Sequence, residues 1–187
     1  VERVYEIMTA EAGEQWASGI GHRLPSAQVA QLLGVLDEIS HPTHVGHVEL
    51  PALADALKLK VDDLFPILEA LQLLDFAQVA GGDIRLTPHG QAFLDADIQR
   101  RKVIFGEHLL KRVPLAGHIC RVIDERPNQR APESRFLREL EDYLSEDEAE
   151  RVLQVIIDWG RYAELFAYDY DAGMFSAENP GEEGAES

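Results

Sequence analysis

The sequence predicts a mainly α chain with small β-hairpins, an α+β fold built as tandem winged-helix-like units joined by long helices. Three observations predict it. A short helix, a longer helix and a two-stranded ribbon can be read over residues 51–86 and again over residues 132–176. In each longer helix apolar side chains recur at three and four residues, the period of a helix with one buried face. Each ribbon is split by turn formers, Gly81-Gly82-Asp83 in the first and residues 169–173 in the second, and glycine accepts the positive φ that a tight turn requires.

The elements follow in order. Val4, Ile7 and Met8 have helical spacing, and Gly13, Gly19, Gly21 and Pro25 mark residues 10–25 as a linker. Ser26 is placed to cap a helix carrying Val29, Leu32, Leu33, Leu36 and Ile39. Residues 41–46 break that helix, and residues 48–50 suit a short strand. Pro51 opens the next helix, where its missing N–H costs nothing. Leu64, Ile67, Leu68, Leu71 and Leu74 line the one after, with Asp62 or Asp63 as its cap and Pro66 in its tolerant first turn. Thr87-Pro88 starts a further helix. Phe93, Ile98, Phe105 and Leu109 line one side of a long helical stretch, and Leu115, Ile119 and Val122 resume the period after Pro114. In the second copy Ser145 and Glu148 form a capping box, and Val152, Leu153, Ile156, Trp159 and Ala163 form the buried stripe. The doubled pattern favours two small cores over one. From Ala177 onward four Glu and no basic residue predict a solvated acidic tail.

Such units often bind DNA, but the charge opposes that use here. With 17 Lys and Arg against 34 Asp and Glu, the net charge is −17, whereas nucleic-acid affinity comes mostly from basic groups on phosphates. Residues 61–76 hold four acids and no base, and residues 145–162 hold five acids against Arg151 and Arg161. Both would-be reading helices therefore repel phosphate. Ten basic residues, Arg100, Arg101 and Lys102 among them, concentrate between Arg100 and Arg138 against four acids. They pair with acidic neighbours or face water, or else form a docking face for an acidic partner.

Chemistry-bearing motifs are sparse. No GxxxxGK followed by Ser or Thr occurs, nor a GxSxG or HExxH, so no phosphate loop or hydrolytic centre can be assigned. No apolar run approaches the roughly 20 residues of a membrane span. The lone Cys120 excludes an internal disulfide and fits a reducing compartment. His41, His44 and His47, with Glu49, are weak candidates for a metal. Pro42 and Gly46 forbid one regular helix through them, which favours a solvated loop; no cofactor is assigned. Trp159, Arg161, Tyr162, Tyr168 and Tyr170 are the densest aromatic group. Trp159 is read as a core residue with Tyr162 and Tyr168 under the ribbon, or, with Arg161, as part of a contact surface.

The runs at residues 53–79, 86–110 and 131–169 together resemble the C-terminal AAA-associated domain, and residues 158–166, DWGRYAELF, are the most specific part. The resemblance implies a domain that follows the ATPase core of ATP-binding subunits in ABC importers of the nitrate, sulfonate and bicarbonate class. It implies these divisions: residues 1–25, the end of an upstream ATPase-core helix plus linker; 26–96, the first unit; 97–176, the connecting helix and second unit; 177–187, the tail. The expected function is regulatory protein contact, without ATPase motifs and without enzyme activity of its own. The expected partners are the ABC ATPase core, the membrane permease subunits of the importer complex and a second copy in a homodimer, with no nucleic acid and no direct membrane insertion. Localisation would be cytoplasmic, peripheral to the inner membrane. The alternatives are a sensor of an anion or metabolite and, further off, a DNA-binding regulator.

Overall fold

The structure, a computed structural model, describes residues 19–44 and 46–177. The helix expected through Val4, Ile7 and Met8 and the tail from residue 178 lie outside them. The described residues form eight helices and two small antiparallel sheets, an α+β fold.

The first unit comprises α1 (Val29–Ser40), β1 (His47–Glu49), α2 (Leu50–Leu57), α3 (Val61–Leu73), β2 (Ala77–Ala80) and β3 (Asp83–Leu86). Then come α4 (Pro88–Asp95) and α5 (Ile98–Arg112). The second unit comprises α6 (Pro114–Asp124), β4 (Arg130–Pro132), α7 (Glu133–Glu141), α8 (Glu146–Tyr162), β5 (Ala167–Asp169) and β6 (Met174–Ser176). The sheet orders, β1-β3-β2 and β4-β6-β5, are the same device used twice.

The repetition extends to single hydrogen bonds. After α3, Asp75 turns left-handed at φ 62, and Phe76 N–H bonds back to the Leu71 carbonyl while Asp75 N–H bonds to that of Gln72. After α8, Glu164 turns at φ 56, and Leu165 and Glu164 donate to the carbonyls of Gly160 and Arg161. This paired ending satisfies the last carbonyls of each helix and sends the chain straight into its ribbon. Gly81 and Gly82, at φ 60 and 87, make the two-residue turn of the first ribbon.

Several local expectations are corrected. Ser26 does not cap α1: its N-cap is Gln28, whose N–H bonds to Gln31 Oε1 at 2.8 Å. Lys60, rather than Asp62 or Asp63, is the N-cap of α3, so Pro66 sits in the second turn, where its missing N–H leaves the carbonyl of exposed Asp62 without a helical partner. Ser145 Oγ does accept from Glu148 N–H at 3.4 Å, but the Glu148 carboxylate turns to Arg151 instead of reaching back. Ile98 is 73% exposed because it opens α5 beyond the edge of the core.

The expectation of two small cores also fails. Buried residues of both units form one continuous apolar cluster, from Leu32, Leu71 and Phe76 through Phe93 and Phe105 to Trp159, Phe136 and Phe175. Phe105 of α5 bridges them, with its ring 6.0 Å from Phe76 and 6.3 Å, edge-on, from Trp159. Each such buried ring contributes on the order of 2–3 kcal/mol, and one shared core costs less surface than two.

Candidate functional site

Residues 158–166 close α8 and lead into the second ribbon, and nearly every one has a separate contact. Asp158 Oδ2 accepts the Val29 N–H at 2.8 Å, an N-terminal amide of α1 that no helical carbonyl can reach. Trp159 is fully buried and its indole N–H donates to the Ala27 carbonyl at 2.8 Å. Gly160 leaves room for the Phe166 ring, whose Cζ would lie 2.1 Å from an added Cβ. The run is therefore first a joint between the units, with Trp159 inaccessible to a partner.

What remains outside is Arg161 with Tyr170. Arg161 is exposed, its guanidinium 5.3 Å from the centroid of the Tyr170 ring and within 3.3 Å of its hydroxyl. Tyr170 is 60% exposed. Tyr168 is buried below it, donating its hydroxyl to Glu133 Oε2, and burial followed by that bond pushes the phenol well above its ordinary pKa. Tyr162 is half-buried and meets Phe105 edge-on at 5.1 Å; burial raises its pKa, with Arg101 and Lys102 opposing.

The basic trio does not form one patch. Arg101 turns inward, donating to the carbonyls of Ala96 at 3.1 Å and Leu94 at 2.5 Å beside the Phe93 ring. Lys102 pairs with Glu164 at 2.5 Å. Arg100 alone stays largely exposed, 3.9 Å from Glu107. An open depression of about 640 Å³ lies beside them, lined by Ala96, Asp97, Ile98, Gln99 and Arg101.

The rings of His41 and His44 meet edge-on, with centroids 6.3 Å apart, but each has its own polar partner. His41 Nδ1 meets Thr43 Oγ1 at 2.8 Å, His44 Nε2 meets Glu38 at 3.1 Å, and His47 is an exposed residue of β1. Among the described residues no group of three or more His, Cys, Asp or Glu side chains is placed to hold a metal ion. Cys120 is half-buried with its thiol pKa raised, by burial first and Asp124 second, so it stays protonated at neutral pH.

Sequence reading missed the polar contact between α8 and the segment that precedes α1. Arg151 of α8 donates through Nη1 to the Leu24 carbonyl at 2.6 Å and Ser26 Oγ at 2.5 Å, and through Nη2 to Glu148 at 2.7 Å. Its partners lie up to 127 residues away, beyond any helical period. The only local signal was a charge directly preceding Val152 and Leu153.

Among known families, the model of the C-terminal AAA-associated domain matches residues 51–169. No curated protein and no solved structure matches the chain.

Proposed function

We propose, for a chain that belongs to the C-terminal AAA-associated domain family, a regulatory protein-contact role beside the ATPase core of an ABC importer for small anions. The family match is the observation that carries this reading, because it associates the domain with an ATPase. The chain itself lacks a phosphate loop, so in this proposal the neighbouring core binds and hydrolyses ATP while this domain adjusts it.

The surface suits proteins better than nucleic acid. In a winged-helix reading of each unit, α3 and α8 are the helices that would enter a major groove. Asp62, Asp63 and Glu69 on α3 and Glu146, Asp147 and Glu150 on α8 are all exposed, which repels phosphate and favours a basic partner surface. Because such ATPases work as pairs, two copies of this domain would lie close enough to associate. Among the described residues no helix is long and apolar enough to cross a membrane. In this proposal, contact with the permease subunits is peripheral, on the cytoplasmic side of the inner membrane.

Calorimetric titration of the chain against the ATPase core, with and without nucleotide, tests the reading. Saturable binding that changes with nucleotide supports it. No heat and no co-elution at tens of micromolar, with the chain a strict monomer, would remove it.

A further inference from the structure

Residues 19–28, expected as linker and cap, lie instead along one face of α8 and its approach. In chain order Gly21 meets Tyr143, Arg23 Nε sits 3.6 Å from Glu148, Leu24 and Ser26 take the Arg151 guanidinium, and Ala27 takes the Trp159 indole. Asp158 then holds Val29, the first residue of α1. On α8 the contacted positions 148, 151, 158 and 159 are three, seven and one apart, which places them on one stripe of the helix.

Two features distinguish this from incidental packing. Leu24 and Ala27 are each only 3% exposed, so the segment has its own place in the core. At Gly21 an added Cβ would lie 2.5 Å from Tyr143 Cγ and 2.6 Å from its Cβ, while Tyr143 is otherwise 70% exposed. A largely solvated aromatic side chain lies against the one residue type that leaves it room.

We propose that residues 19–28 are a docking strap, latched by Arg151, that ties α8 of the second unit to the start of α1. Seating or release of the strap would be carried by α8 to the second ribbon, where Arg161 and Tyr170 are exposed. The seating of the strap stands on the contacts alone; its regulatory use rests on the accessory-domain reading above.

The test uses Gly21→Ala, Tyr143→Gly and their combination. Residue-resolved hydrogen exchange of the chain should show at least about tenfold loss of protection at Ala27 and Val29 in Gly21→Ala, with α6 unchanged, and recovery in the double variant. Arg151→Met should release the same amides by a different route. Unchanged protection in both Gly21→Ala and Arg151→Met, loss spread evenly over the fold, or no recovery in the double variant would overturn the strap. In the ATP-binding subunit that carries this domain, Gly21→Ala should change the steady-state hydrolysis rate and Tyr143→Gly should reverse the change. Release of the strap with an unaltered rate would overturn its regulatory use. Binding of the chain to the core, measured separately, would then still decide the accessory-domain reading.

Discussion

Asp158, Trp159 and Gly160 are consecutive, yet each solves a different problem. The carboxylate satisfies an amide at the start of α1, the indole satisfies a buried carbonyl, and the glycine admits a ring. Trp159→Phe keeps most of the apolar volume but leaves the Ala27 carbonyl without its donor. A buried group left unpaired costs about 1–3 kcal/mol, so urea unfolding should shift by that much; an unchanged midpoint would show that water replaces the indole. The importance of this run was legible in the sequence as its most specific stretch. Its task was not, because the receiving atoms lie 129 and 132 residues away and no local pattern encodes them. The same distance hid Arg151, whereas Thr87, whose hydroxyl accepts from Gly90 N–H at 3.0 Å, was readable because its target is three residues on.

Helices and ribbons were legible where one face is apolar. The stripes of α3 and α8 and the Gly81-Gly82 turn follow directly from spacing and from allowed φ. Helix starts were less so, since Gln28 and Lys60 are weak capping types chosen by the incoming path of the chain. The three-residue strand β4, which includes Pro132, was not expected; it lies at a sheet edge, where a missing N–H is tolerated. The junction of α3 with α5 carries a titratable contact. His108 Nδ1 lies 2.7 Å from the Leu74 carbonyl, beside Phe76, His89, Asp75 and Arg112. Burial lowers its pKa below the ordinary 6.5, with the Leu74 and Asp75 contacts opposing and His89 and Arg112 adding to the fall. The unfolded chain then holds the proton more readily just below pH 6.5, so this contribution to stability declines as pH drops through that window. His108→Gln, which can still donate to Leu74 but does not titrate, should show a smaller decline in melting temperature between pH 7 and pH 5.5. An identical decline would place the pH sensitivity elsewhere.

The two units share one core and one spine helix at α5. Their repeated order was visible in the sequence; their fusion was not, since patterning reports that a face is buried without naming what buries it. Opposite their buried stripes, α3 and α8 present exposed acidic side chains, in a chain of net charge −17. Regulation of an ATPase core by this domain is the proposal to test. The most direct measurement is steady-state ATP hydrolysis by that core with and without this chain at saturating nucleotide. The rate should differ reproducibly between the two; equal rates at concentrations where the chain and the core are bound would overturn the proposed regulation.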